Sequence, residues 1–167
     1  MTVAQTSSSA LRPSLGRRLI VAANRGPVSF HADAAGEPVV TRGLGGLVSV
    51  LAELFRKRPG TWVAAAQSAE EERLAASGEA VVVELDDVSY RMRYVAADAE
   101  TYHRYYSVIA NPTLWFLQHH LWDLAWHPEI DQNELDAWRL GYLPMNQLFA
   151  TAVADEMGAV LRRAAFS

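Results

Sequence analysis

The sequence predicts a layered α/β domain with inserted β-hairpins, and three observations lead there. Two short apolar runs, Leu19-Ile20-Val21-Ala22-Ala23 and Thr61 to Ala66, have the look of strands buried on both faces, as in a parallel sheet. Between them a glycine-rich turn, Gly43-Leu44-Gly45-Gly46, opens a helix-periodic segment. From Asp98 onward the pattern turns helical. Strand, glycine turn, helix, strand, then helices is the order of an α/β layer.

Each element has a local reason. The first strand stops at the turn cluster Asn24-Arg25-Gly26-Pro27. Val28 to His31 and Val39 to Arg42 flank Asp33-Ala34-Ala35-Gly36 and predict a small hairpin. Leu47, Val50, Leu51, Leu54 and Phe55 give the first helix an apolar face, and Arg56, Lys57 and Arg58 suit its C-terminal dipole. Pro59-Gly60 ends it. Ala69 to Ser77 reads as a short polar helix closed by Gly78, with Glu70-Glu71-Glu72 on its solvated surface. Val81 to Leu85 and Ser89 to Val95 flank Asp86-Asp87 as a second hairpin, with Tyr90, Met92 and Tyr94 on one face.

Asp98 is placed to cap a helix carrying Tyr102, Tyr105 and Tyr106. Pro112 is expected to restart a helix through Trp115 and Leu121. After Pro128 a long pattern runs through Leu135, Trp138, Tyr142, Met145, Phe149, Val153 and Met157; Pro144 should kink it and Gly158 end it. Ala159-Val160-Leu161 reads as the start of another strand, which Arg162 to Ser167 does not continue in pattern. The expected organisation is a leader over 1–18, a domain over 19–161 and an aberrant tail over 162–167.

Composition bounds the function. The 167 residues are half apolar and 20% charged, enough for one domain with a core and too few for a two-domain enzyme. The absence of cysteine excludes disulfides, thiolate metal sites and cysteine nucleophiles. A net charge of -4 gives no general reason to bind nucleic acid or an anionic membrane. No apolar run approaches the roughly 18 residues of a membrane helix. The Ser-rich start, with Arg12, Arg17 and Arg18, lacks the apolar stretch of a signal peptide, so a cytoplasmic protein is expected.

Three groups could carry chemistry. Arg25 follows a strand end, where open α/β sheets bind ligands, and Gly45-Gly46 stands at a helix start, whose free N–H groups attract anions. Together they suit a phosphorylated small molecule, or they are a surface arginine and a simple helix cap. The spacing fits neither common glycine-loop fingerprint. The aromatics Tyr102, Tyr105, Tyr106, Trp115, Trp122 and Trp126 could stack on a sugar, or could be core. His119-His120, with His103 and His127, lacks the i, i+4 spacing of helical metal ligands, so no metal or other cofactor is expected.

Leu19 to Arg25, Gly45-Gly46-Leu47-Val48, Gly60-Thr61-Trp62-Val63, Tyr105-Tyr106 with Asn111 and Leu114-Trp115, and Trp138 to Phe149 together resemble the N-terminal part of the trehalose-6-phosphate synthase family. The likeness runs from about Leu19 to about Leu161. It implies a GT-B architecture of two Rossmann-like domains, of which this chain holds an incomplete N-terminal, acceptor-side one. It implies transfer of glucose from UDP-glucose, or another NDP-glucose, to glucose 6-phosphate, with retention and without a metal. By matching motif, Arg25 would contact the acceptor phosphate, Tyr106 and Trp115 the acceptor, and Gly45 and Gly46 the donor phosphate.

Two departures stand out. Where many members have a second tryptophan after the one matching Trp62, this chain has Ala64-Ala65-Ala66-Gln67, so another acceptor such as glycerol 3-phosphate stays open. The family's Asp-Tyr motif, its donor-side cations and its C-terminal nucleotide-sugar domain have no counterpart before Ser167, which reads as a truncated or frameshifted frame or a fragment. The lone chain is therefore expected to be inactive. The alternative is a non-catalytic sugar-phosphate-binding or regulatory module. Whether the full protein forms a homo-oligomer is left open.

Overall fold

A four-stranded sheet organises the chain, in the order β1 (Leu19–Ala23), β4 (Gly60–Ala65), β6 (Val88–Val95), β5 (Val81–Leu85). The structure, a computed structural model, describes residues 19–43, 46–58, 60–119 and 130–165. β1, β4 and β6 run parallel, with Val21 opposite Trp62 and Trp62 opposite Met92. β5 joins β6 as an antiparallel hairpin, turned at Asp86 and Asp87 with φ of 50° and 60°. A short carboxylate side chain tolerates that left-handed region better than most residues. Among the described residues β1 pairs on one side only.

Strand alternation divides the core between the two faces. Trp62 and Ala64 of β4 join Val88, Tyr90, Met92 and Tyr94 of β6 on one face. There α1 (Gly46–Lys57) brings Val48 and Phe55, and α2 (Ala69–Ser77) brings Leu74 and Ala75. Val63, Ala65 and Val95 point the other way, onto Tyr105, Met145, Phe149 and Ala152. A separate hairpin, β2 (Val28–Ala32) with β3 (Pro38–Arg42), links β1 to α1.

The helical half is unusual in its winding. α3 (Ala99–His103), capped by Asp98 on the Thr101 N–H, passes straight into a π-helical segment, Arg104–Leu114, and then α4 (Trp115–Gln118). α5 (Gln132–Ala137) is followed by a second π-helical segment, Trp138–Tyr142, and then α6 (Leu143–Ala165). Pro112 thus lies within continuous helix rather than restarting one, and the wider winding accommodates it. The Thr113 hydroxyl donates to the Val108 carbonyl there at 2.9 Å. At Pro144 the kink predicted from sequence takes another form. Pro144 is the second residue of α6, which continues directly from the π segment, where the winding is altered and the Leu143 N–H bonds to the Trp138 carbonyl.

Four further expectations are corrected. Gly158 does not end the last helix, and Ala159-Val160-Leu161 is helical, not a strand. Alanine, leucine and arginine dominate that stretch and all favour helix, so one glycine does not break it. The inward face of α1 is Val48, Leu51, Ala52 and Phe55, while Val50 is 73% exposed. The periodicity was right and its phase was off. Glu71 is not on a solvated surface but 2% exposed. Leu121 and the helix expected through it lie outside the described residues.

Candidate functional site

The parallel strands end together, and their C-terminal ends build a cleft. Backbone hydrogen bonds set it up: Ala65 N–H donates to the Asn24 carbonyl at 3.3 Å, and Gly43 N–H to the Pro27 carbonyl at 2.7 Å. The Trp62 indole, buried under the sheet, donates to the Arg25 carbonyl at 3.1 Å. A Cβ on Gly43 would collide with the Gly26 carbonyl, so the end of β3 and the loop after β1 meet backbone to backbone. Arg25 and Arg42 are thereby brought to one cavity of about 310 Å³, which Ser29, Ala65, Gln67 and Glu71 also line.

Both arginines are solvent-accessible at this site. Arg42 is held by Asp86 at 2.8 Å, while Arg25 makes no ion pair among the described residues. Two guanidinium groups at strand ends suit a phosphate, which accepts their forked donors.

Glu71 anchors the cleft wall. Its carboxylate accepts from Phe30 N–H at 3.0 Å and Gln67 N–H at 2.7 Å. Ser68, the N-cap of α2, accepts from Glu71 N–H and donates its hydroxyl to the Phe30 carbonyl at 2.5 Å. The outward N–H and C=O of Phe30 are therefore both met by the start of α2, which ties the β2–β3 hairpin to the sheet. Burial raises the Glu71 carboxyl above its ordinary range, and the bonds from Gln67 and Phe30 work against that rise. Burial also raises the Tyr94 phenol, beside Glu71; it stays protonated and donates to the Val28 carbonyl at 3.2 Å. A Ser-x-x-Glu spacing at 68–71 carried this signal in the sequence.

The second cluster is aromatic. Tyr102 stacks on Tyr106, with centroids 5.9 Å apart at 18°. Tyr105 is buried against Tyr142 and Phe149, and burial with the phenols around it pushes its pKa up to about 12. The Tyr102 hydroxyl reaches across to the strand ends, within 3.1 Å of Asn24 Nδ2 and 2.9 Å of Gln67 Nε2. Sequence reading singled out neither Gln67 nor this network.

The predicted site residues divide accordingly. Arg25 lies in the cleft. Tyr106 stands one ring removed from it, through Tyr102 and Gln67. Trp115 is 45% exposed and stacked on His119 at 4.2 Å, and no described contact joins it to Arg25. Gly46 begins α1, and a Cβ there would meet nothing within 4 Å among the described residues. Gly45 lies outside the described residues, as do His120, Trp122, Trp126 and His127. Among the described residues no three His, Asp or Glu side chains are grouped to hold a metal. No helix among them is long and apolar enough to cross a membrane.

Open α/β sheets bind ligands outside the carboxyl ends of their strands, and the cleft lined by Arg25 and Arg42 lies there. Comparison with known proteins makes this particular: residues 17–159 match the profile of glycosyltransferase family 20. The chain belongs to that family, as an N-terminal portion. It is 32% identical over 137 residues to a trehalose-6-phosphate synthase of Mycolicibacterium smegmatis, covering 81% of this chain and 24% of the relative. It is 30% identical over 139 residues to the corresponding synthase of Mycolicibacterium vanbaalenii, covering 83% and 26%. Among solved structures it aligns with an alpha,alpha-trehalose-phosphate synthase (UDP-forming) of Burkholderia vietnamiensis, at 25% identity and a TM-score of 0.47, over 83% of this chain and 24% of that one. The chain thus spans about a quarter of the length of the relatives it matches.

Proposed function

We propose that this chain forms the acceptor-side wall of a retaining glucosyltransferase. The whole enzyme would transfer glucose from UDP-glucose, or another NDP-glucose, to glucose 6-phosphate, giving trehalose 6-phosphate in the cytoplasm. The observation that carries this is the Arg25–Arg42 cleft at the parallel strand ends, in a chain of glycosyltransferase family 20. Arg25 takes the acceptor phosphate, Tyr106 and Trp115 face the acceptor, and the turn at Gly45-Gly46 takes the donor phosphate. A helix start suits a diphosphate whose charge grows as the nucleotide leaves.

Catalysis needs the second wall, so the chain alone forms no trehalose 6-phosphate, and adding the sequence that follows it restores turnover. Product formation by the isolated chain would overturn this. In the full-length protein Arg25→Ala should weaken transition-state binding by about 1.5–3 kcal/mol, the worth of a charge-assisted contact. Steady-state kinetics against glucose 6-phosphate reads it, and unchanged kcat and KM would remove Arg25 from the site. An acceptor panel including glycerol 3-phosphate tests the substrate, because Ala65 lines the cleft in the stretch where the family resemblance implies a second tryptophan.

A further inference from the structure

We propose that Gln67, oriented by the Tyr102 hydroxyl, reads the hydroxyl groups of the phosphorylated acceptor and so sets which sugar or polyol phosphate the cleft accepts. The inference rests on the acceptor reading of the Arg25 cleft above and adds the residue that selects within it.

Four observations support it. Gln67 lines the same cavity as Arg25 and Arg42. Its side chain is exposed yet fixed, Nε2 donating to the Tyr102 hydroxyl at 2.9 Å and to the Ala66 carbonyl at 3.1 Å. Its backbone N–H is held by the buried Glu71 carboxylate at 2.7 Å. Immobilising an exposed glutamine costs about 1.5–2 kcal/mol of rotamer entropy, a cost a flexible surface residue avoids. Ala65, two residues before it, lines the same cavity and is small.

The network also leaves an acceptor open. A phenol has one proton to give. If Tyr102 donates to Asn24 Oδ1, 3.2 Å away, it accepts from Gln67 Nε2, and Gln67 Oε1 is left for a ligand. If it donates to Gln67 Oε1, 3.1 Å away, it accepts from Asn24 Nδ2, and Asn24 Oδ1 is left instead. In the first arrangement the free amide oxygen belongs to Gln67, which lines the cavity, and it is open to a hydroxyl donor there. A phosphate at Arg25 and hydroxyls at this network describe a polyhydroxylated phosphate monoester.

Calorimetry on this chain with glucose 6-phosphate and with inorganic phosphate tests the proposal. Gln67→Ala should lower affinity for glucose 6-phosphate about five- to tenfold, the worth of one or two neutral hydrogen bonds, and leave inorganic phosphate binding unchanged. Tyr102→Phe, which keeps the ring stacked on Tyr106, should act in the same direction by about threefold. Arg25→Ala should weaken both ligands. If Gln67→Ala binds glucose 6-phosphate as the unaltered chain does, or loses both ligands equally, the selecting role is overturned while the cleft reading stands. If the unaltered chain binds neither ligand, or Arg25→Ala binds both normally, the acceptor reading itself falls and this inference with it.

Discussion

Two glycines in helical backbone meet opposite surroundings. A Cβ on Gly141 would strike the Arg104 Cβ and lie 2.7 Å from the Tyr105 nitrogen, so the two π-helical segments approach backbone to backbone. A Cβ on Gly46, at the start of α1, would meet nothing within 4 Å among the described residues. Glycine in the helical half is demanded by packing. At Gly46 no described neighbour demands it. The contrast is between Gly46 and Gly141, since Gly26 and Gly43 at the cleft are also closely packed.

The sharpest way to break the comparison is Gly141→Ala. The new methyl has backbone atoms against it and no flexible side chain to move, so the segments must separate. A loss of about 3 kcal/mol is expected, at the upper end of overpacking, read as a lower urea midpoint. Stability unchanged within about 0.5 kcal/mol would mean that the two π segments are not locked.

Next in size is Glu71→Ala, which leaves the Phe30 and Gln67 N–H groups without their acceptor. Each stranded donor costs about 1–3 kcal/mol, reduced where water reaches it, so about 2 kcal/mol in total is expected. Beyond stability, the β2–β3 hairpin should loosen first, seen as faster amide exchange at Phe30 than in the sheet.

What was legible in the sequence follows the range of the forces involved. Strands and turns were read well, because Leu19–Ala23 and Gly60–Ala65 are short apolar runs and Gly78, at φ 71°, is a local helix stop. The β5–β6 hairpin was legible from Asp86-Asp87 alone. Arg25 was legible as a cleft residue because it directly follows a strand end. Helix phase was not: Val48 replaced Val50 in the core of α1 because the sheet above it, not the periodicity, selects the face. Neither was Glu156, 7% exposed in an otherwise apolar seam, since its partners Arg91 and Thr61 lie 65 and 95 residues away. The role of Gln67, noted only as part of the Ala64-Ala65-Ala66-Gln67 stretch, was hidden for the same reason: it depends on Tyr102, 35 residues on. The strand expected at Ala159-Val160-Leu161 failed because three apolar residues do not distinguish strand from helix.

A smaller effect separates charge from shape at Glu71. Its folded pKa is raised above the ordinary value near 4.5, chiefly by burial. The folded state therefore holds this proton more tightly than the unfolded chain does. The group's contribution is fully present below the unfolded value and is lost as pH rises through the raised one. Glu71→Gln cannot titrate. The stability difference between the unaltered chain and this variant should thus shift in favour of the unaltered chain on acidification from pH 7 toward 4.5. A flat difference would show that the hydrogen bonds from Phe30 and Gln67 cancel burial, and one of opposite slope that they outweigh it.

Gly46→Ala has the smallest expected effect on folding and separates the two regions most directly. Alanine favours helix over glycine by up to about 1 kcal/mol in a helix interior, and less at a first position. With open space around the new methyl, stability should stay level or rise by about 0.5 kcal/mol. If the turn exists for a donor phosphate, the full-length protein carrying the same change should show a raised KM for its nucleotide sugar, with the acceptor KM little moved. A stable variant with impaired donor binding confirms that Gly46 answers to a ligand and Gly141 to the fold. A variant that loses stability as Gly141→Ala does would mean that the space around Gly46 is filled by the protein itself, and the contrast between the two regions would fail.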